Sequence, residues 1–318
     1  MDLALSVDVV DRRELALDSV AELTLAAADG GELPTWEPGA HIDLVLPSGL
    51  IRQYSLCGDP ADHSTYRVAV LRDPESRGGS VEVHEKIQTG TRLEIRGPRN
   101  HFPLRPGQHT VLLAGGIGIT PLLPMARQLR RQGAGFELCY GGRSRGAVAY
   151  VDELLTLDRD AVRLYSQDTD GLLPLDDIVA SARPGCAIHA CGPAPMLQAL
   201  QAQVATRPDI ALHIERFGPA GETPAPATGD SSFTVTLQRS CRTLPVPSGI
   251  RLIDVVRQVV PSVPFSCEEG YCGSCETAVI DGEPDHRDTV LSGDERAAND
   301  CMMICVGRSR SPVLVLDL

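Results

Sequence analysis

The chain has 318 residues, 42% of them hydrophobic, which suits two or three domains with buried cores and leaves little room for disorder beyond a linker. Its 42 acids outweigh 29 bases, and the formal net charge of -13 argues against nucleic acid and anionic membrane surfaces as partners.

The N-terminal stretch MDLALSVDVVDRRELAL carries Asp2 and Asp8 and no basic segment ahead of an apolar one, so no signal peptide is expected. The first hundred residues then alternate apolar and polar, in AELTLAAAD, HIDLVLPSG, YRVAVLRD and TRLEIRGP. Gly and Pro punctuate them at roughly ten-residue spacing, the pattern of an antiparallel β-barrel or sandwich. One short helix is expected near SVEVHEKIQ. Within this region RQYSLCG, residues 52–58, offers Arg52 for a phosphate, Tyr54 to stack on a flat ring and Ser55 as a hydrogen-bonding hydroxyl. SRGGS, residues 76–80, offers amides and a hydroxyl. Read by themselves, both segments fit a strand and a glycine turn equally well.

From residue 109 the texture changes. HTVLLAGG is a continuous apolar run, as in a strand buried on both faces. Helical spacing follows in TPLLPMARQLRRQG, a strand in FELCYGG, a helix in VAYVDELLTL and a strand in VRLYSQD. LDDIVASARPG reads as a helix, CAIHACGP as a strand and APMLQALQAQVA as a helix. The alternation predicts a parallel sheet covered on both faces. LLAGGIGITP, residues 112–121, joins a buried strand to a helix, with Gly115, Gly116 and Gly118 permitting close approach of a phosphate. ACGPAPML, residues 190–197, is a second such turn, and two at strand ends suggest a nucleotide crevice. The apolar run around the first turn is broken by Gly and Pro and too short to span a bilayer.

GPAGETPAPATGD, residues 218–230, has no large apolar side chain and reads as a linker. After it FTVTLQRS and RTLPVPSG suggest a hairpin, RLIDVVRQVV a helix and PVLVLDL a closing strand. This tail is small enough for a metal centre to help hold it. It carries CEEGYCGSC, in which Cys267, Cys272 and Cys275 are spaced C-x4-C-x2-C, joined some thirty residues on by Cys305. That is the plant-type spacing of a [2Fe–2S] cluster, whose two irons need four converging thiolates. Gly270 and Gly273 let backbone amides approach the sulfurs and tune the potential. Zinc is the rival ligand, but structural zinc sites use two C-x2-C pairs and the second is missing. Cys301, four residues before Cys305, is read as an ordinary side chain. Of the ten cysteines, Cys57, Cys139, Cys186 and Cys241 are read as packing thiols.

Taken in order, R-x-Y-S, G-G-S, A-G-G-I-G-I-T-P, C-G-P and C-x4-C-x2-C with a late C-V resemble the phthalate dioxygenase reductase family, which includes vanillate demethylase-type reductases. The resemblance covers essentially the whole chain. It implies a multidomain fold: an antiparallel β-barrel binding FMN at 1–105, an α/β parallel-sheet NAD domain at 106–217, a linker at 218–230 and an α+β plant-type ferredoxin domain at 231–318. It implies flavin contacts from Arg52, Tyr54 and Ser55, a phosphate held by Gly78, Gly79 and Ser80, and a lining strand at Ala69, Val70 and Leu71. Thr120 then approaches the flavin edge and Phe217 lies near the ring. Gly115, Gly116, Cys191, Gly192 and Pro193 face the nicotinamide nucleotide. Arg143 and Arg145, where the adenosine end should lie, leave NADPH open beside NADH.

Electron counting completes the expectation. A nicotinamide gives a two-electron hydride, a [2Fe–2S] cluster takes one electron, and a flavin mediates between them. The expected activity is that of an oxidoreductase serving as the reductase component of an aromatic ring-hydroxylating or O-demethylating oxygenase. The chain is then a cytoplasmic monomer that docks transiently on the terminal oxygenase, through Glu268, Glu269, Tyr271, Asp281, Glu283 and Asp285 around the cluster loop. A redox sensor and a flavin-dependent NADH oxidase with a structural cluster are the alternatives.

Overall fold

The computed structural model describes residues 4–16, 19–73, 78–218, 230–265 and 267–318. All but the two ends of the expected linker at 218–230, and Ser76 and Arg77 of the SRGGS turn, lie outside the described residues. The chain divides into two compact units, Met1–Phe217 and Gly218–Leu318.

The first unit holds two sheets. Six antiparallel strands, β1 (Ala4–Leu15), β2 (Val20–Ala27), β3 (His41–Val45), β4 (Ile51–Ser55), β5 (Thr65–Leu71) and β6 (Arg92–Arg99), pair in the order β4-β3-β6-β1-β2-β5. Leu56, just past edge strand β4, bridges Val68 on the other edge strand β5, and so the sheet closes on itself. Strand alternation turns Leu23, Leu25, Ile42, Leu44, Tyr66, Val68 and Ile95 into the barrel core. The single helix α1 (Gly79–Lys86) falls where SVEVHEKIQ places one. Strand β1 is not among the expected strands. Its acids and arginines interrupt the pattern, only Val7 and Val9 are buried, and a bulge shifts its register between Val9 and Asp11.

In chain order the second sheet is built from β7 (His109–Gly115), α2 (Ile119–Arg131), β8 (Phe136–Gly142), α3 (Val151–Asp158), β9 (Val162–Ser166), α4 (Leu175–Ser181), β10 (Cys186–Cys191), α5 (Ala194–Val204) and β11 (Ala211–Glu215). Its strands are parallel, in the order β11-β10-β7-β8-β9. Six of the seven residues of β7 are buried, as a strand covered on both faces requires. The chain winds from β7 through β8 to β9, then crosses back to lay β10 on the other side of β7. That reversal opens a crevice at the C-terminal ends of β7 and β10. The two glycine turns fall there.

The second unit is a mixed sheet with short helices. It comprises β12 (Phe233–Leu237), β13 (Arg242–Val246), α6 (Leu252–Val256), β14 (Glu276–Asp281), β15 (Pro284–Asp285), α7 (Gly293–Ala298), β16 (Cys301–Met303), β17 (Arg308–Ser309) and β18 (Val313–Leu316). The larger sheet runs β13-β12-β18-β14-β16, and β15 pairs with β17. The expected hairpin is β12–β13 and the closing strand is β18. Helix α6 is shorter than the apolar periodicity suggests and stops at Val256, five residues before Pro261. The core of this unit packs Phe233, Val235, Leu237, Leu252, Val256, Met302, Met303 and Leu314 together with the cluster-loop residues Cys275 and Cys305.

Candidate functional site

The four motif cysteines converge. Cys267, Cys272, Cys275 and Cys305 are only 4, 7, 3 and 2% exposed. Cys267 engages the thiols of Cys272 and Cys305, and Cys305 also engages Cys275. The loop achieves this with left-handed glycines, Gly270 at φ +73° and Gly273 at φ +76°. The amide of Glu269 donates to the Cys267 sulfur at 3.3 Å. The neighbouring Cys267 thiol and burial push the Cys272 thiol up. Four thiolates crowded into a buried loop need cations to neutralise them, so the donor set fits iron. Cys301 is half-buried on β16, and burial followed by the carboxylates of Glu276 and Asp300 pushes its thiol up to about 11. Its neighbours are thus carboxylates, whereas the four motif thiols act on one another.

In the first unit, β4 and the start of α1 come together. A methyl group on Gly79 would sit 2.6 Å from Cγ and Nε of Arg52, so the arginine lies across the face of that glycine. This juxtaposes a guanidinium with Gly78, at φ +82°, and with Ser80, whose hydroxyl meets the Asp73 backbone at 3.2 Å. Arg52 also donates to its own strand at the Ile51 carbonyl, 2.8 Å away. Such a pocket suits a phosphate. The ring of Tyr54 packs on the barrel core, and burial raises its phenol. Strand β5 is divided by its pleat: Ala69 and Leu71 face outward, Leu71 being 41% exposed, whereas the Val70 side chain is 1% exposed inside the barrel core. Val70 therefore has only its backbone to offer, and its carbonyl meets the His84 ring at 2.9 Å.

The two glycine turns abut. A methyl on Gly115 would meet Pro193 Cδ at 2.7 Å, and one on Gly118 would meet the Cys191 carbonyl oxygen at 2.1 Å. Gly116, at φ +56°, has open space where its methyl would go. Thr120 is 2% exposed and donates to the Ile117 carbonyl at 3.0 Å, closing the first turn of α2. Ile117 packs with Val20, Cys57 and Ala69, so the turn after β7 reaches the barrel strand β5. Phe217, just past β11, is 41% exposed. Arg143 and Arg145 are exposed beyond β8, where the Arg143 carbonyl accepts from Asp168 N at 3.2 Å.

Two features escape a reading of motifs. Glu215, the last residue of β11, lies 3.4 Å from the Ser55 hydroxyl, and burial followed by its charge raises the Cys191 thiol. Desolvation, opposed by the Ser55 hydrogen bond, pushes its carboxyl up to about 8. It thus lies near both the serine of the barrel, from which it accepts a hydrogen bond, and the cysteine of the crevice, and it holds its proton close to neutral pH. An acid ending an edge strand carries no sequence signature. The second feature is a polar clamp between barrel and parallel sheet. The Tyr150 hydroxyl donates to buried Glu22 at 2.6 Å, Arg67 lies 3.4 Å from Glu22 and 3.2 Å from Glu153, and Arg127 pairs with Glu153 and donates to the Cys57 carbonyl at 2.8 Å. Its members run from 22 to 153 in sequence, so only the fold assembles them.

Among known proteins, residues 235–309 match the family described as "2Fe-2S iron-sulfur cluster binding domain". The chain is 45% identical to phenoxybenzoate dioxygenase subunit beta of Ectopseudomonas oleovorans, over 93% of this chain and 92% of that one. It is 40% identical to vanillate O-demethylase oxidoreductase of a Pseudomonas species, over 98% and 99%. A solved phthalate dioxygenase reductase, described as a modular structure for electron transfer from pyridine nucleotides to [2Fe–2S], superposes with a TM-score of 0.72 at 36% identity, covering 99% of this chain and 98% of that one. An intact type IV self-sufficient cytochrome P450 monooxygenase superposes at a TM-score of 0.91 and 41% identity; this chain spans 41% of its length.

Proposed function

The chain belongs to the phthalate dioxygenase reductase family, and from that premise we propose that it is the reductase component of an aromatic ring-hydroxylating or O-demethylating oxygenase. The observation that carries this reading is one chain holding both a loop on which four cysteines converge and a nucleotide crevice set against a flavin-type barrel. A flavin held there would supply the exchange between two-electron hydride chemistry and the single electrons that an iron–sulfur centre accepts. The residues hold these groups in place. Cys267, Cys272, Cys275 and Cys305 are the iron ligands. Arg52, Gly78, Gly79 and Ser80 hold the flavin phosphate, with Tyr54, Ser55, Ala69, Leu71, Thr120 and Phe217 about the ring and Val70 contributing backbone only. Gly115, Gly116, Cys191, Gly192 and Pro193 line the nicotinamide side. We assign residues 1–105, 106–217 and 231–318 to the three functions, with 218–230 as the linker.

The flavin is FMN, the nucleotide NADH, and the setting cytoplasmic; among the described residues no helix is long and apolar enough to cross a membrane. The purified protein should reduce cytochrome c faster with NADH than with NADPH, with slow oxygen consumption. Oxygen uptake matching NADH oxidation would make it an oxidase and overturn the reading. Replacement of Arg52 by alanine should weaken FMN retention by roughly 1.5–3 kcal/mol, about tenfold or more in affinity, because a charge-assisted phosphate contact is lost. Extraction of FAD, identified by mass, would reverse the flavin assignment.

The partner is the terminal oxygenase. Several acids expected at the docking surface are bound to arginines within this chain: Glu268 to Arg251 at 2.6 Å, Glu283 to Arg310 at 3.5 Å and Asp285 to Arg287 at 2.7 Å. Glu276, next to Cys275, is instead crowded by acids; burial, then the charges of Glu295, Asp300 and Asp288, raise its carboxyl. A basic partner docks there, with charge acting mainly on the association rate. Electron transfer to the oxygenase should slow as salt shortens the Debye length to about 8 Å. The double variant Glu276→Lys, Asp300→Lys should slow it further while NADH reduces the flavin at the normal rate. Stopped-flow traces separate the two steps, and salt-independent transfer would remove this face from docking.

A further inference from the structure

Between Cys275 and Cys305 the chain carries a segment, residues 285–291, that no ligand assignment uses. At its centre Asp288 is 4% exposed. Its carboxylate accepts the amides of Val290 at 3.1 Å and Leu291 at 2.9 Å. Arg296 of α7 stands 3.8 Å from the same carboxylate and donates to the Asp288 carbonyl, and His286 lies 3.9 Å away on the other side. His286 in turn reaches Asn299, past the end of α7, at 3.1 Å. The segment is thereby fixed to a helix that is itself held by a capping box between Ser292 and Glu295.

The held segment touches the cluster loop at Gly270. Thr289 N donates to the Gly270 carbonyl at 2.8 Å. Gly270 stands between Cys267 and Cys272 in sequence, and its left-handed backbone leaves no room on its Cα: a methyl there would meet Asp288 Cα at 3.1 Å and Val306 Cγ2 at 2.6 Å. Val306 follows the fourth ligand, Cys305. A shift of Asp288 therefore reaches Gly270, the residue that also lies against Val306. Burying a carboxylate costs desolvation, and an apolar residue would fill the volume more cheaply. What the carboxylate supplies is geometry: two amide acceptors in a turn that points the next N–H at Gly270.

We propose that Asp288 is a positioning residue for the [2Fe–2S] loop, which holds the segment that clamps Gly270 and so fixes the cysteine loop around the cluster. The inference rests on the family reading, but its test does not use turnover. In the full-length loaded protein, Asp288→Ala should release iron to a ferrous chelator at least about tenfold faster, since two buried amides lose their acceptor. It should also change the line shape of the electron paramagnetic resonance spectrum of the reduced cluster. Asp288→Asn keeps an oxygen for both amides and should stay within about twofold of wild type with an unchanged line shape. Flavin content should be the same throughout. Wild-type iron release and spectrum in Asp288→Ala would overturn the proposal, as would equal damage from Asn and Ala, which would make charge the cause. Should the alanine variant be recovered without a cluster, Asp288→Ser decides: its shorter side chain cannot reach both amides as the carboxylate does, so iron release should be faster than in wild type, and a wild-type rate there overturns the proposal. A chain without a cluster even as wild type would sink the family reading instead, by a different result.

Discussion

Replacing Cys305 by serine should abolish the visible absorption of the iron–sulfur centre, whereas replacing Cys301 should leave it intact. Cys305 is 2% exposed and engages the thiols of Cys267 and Cys275. A serine hydroxyl is a harder and far less acidic donor, and three thiolates leave the second iron under-ligated. The loss extends to stability, because cluster binding is part of this small unit's folding energy and Cys275 and Cys305 also pack in its core. Cys301 does not compensate: it sits half-buried on β16 beside Glu276 and Asp300, whereas Cys305 engages the thiols of Cys267 and Cys275. The Cys305 variant should still reduce dyes that accept electrons from the flavin, but lose NADH-dependent cytochrome c reduction. Bleaching by the Cys301 change with a coloured Cys305 variant would exchange the two assignments.

The second large effect is expected at Gly118. Its backbone is ordinary right-handed helix, at φ -61°, so alanine introduces no conformational strain. The obstacle is contact. The added methyl would lie 2.1 Å from the Cys191 carbonyl oxygen and 2.4 Å from its carbon. Both are backbone atoms of a buried strand end and have no rotamer by which to yield. The two glycine turns must part, at a cost near the upper end of the ~1–3 kcal/mol typical of overpacking. Flavin reduction by NADH should fall, by a factor on the order of 100 if that cost appears in full in the bound state. Melting should drop by several degrees. Dithionite reduction of the cluster should be unaffected. In melting, Gly116→Ala makes the contrast: that methyl meets no protein atom within 4 Å, and the cost to the unliganded chain is the left-handed φ, about 1 kcal/mol. Equal drops in melting at the two positions would show that conformation, and not the meeting of the turns, makes the glycines necessary.

The division between sequence and tertiary structure follows how local each cause is. Strand alternation in the barrel, the unbroken apolar run of β7, the helical spacing of α2 and α5 and the C-x4-C-x2-C spacing are set by neighbours within a few residues, and all were legible. Where polar residues serve a local purpose, the pattern broke: β1 is masked by its acids and arginines, and the edge strand β11 by its half-exposed positions. The motif points to Cys305, and the structure sets Cys301 apart, beside carboxylates on β14 and just ahead of β16 that meet only when the sheet forms, while Cys305 engages Cys267 and Cys275. The same holds for Ser55 and Glu215, which are 160 residues apart yet 3.4 Å from each other, and for the Glu22–Tyr150–Arg67 clamp. Val70 shows the converse: its sequence neighbours face outward, and the pleat alone turns it into the core. Hydrophobic period and ligand spacing are properties of a segment and survive in one dimension. Desolvation, charge pairing and steric closure are properties of what the fold brings near, so the pairing of turns at Gly118 and the bracing of the cluster loop by Asp288 were decided only when the chain packed.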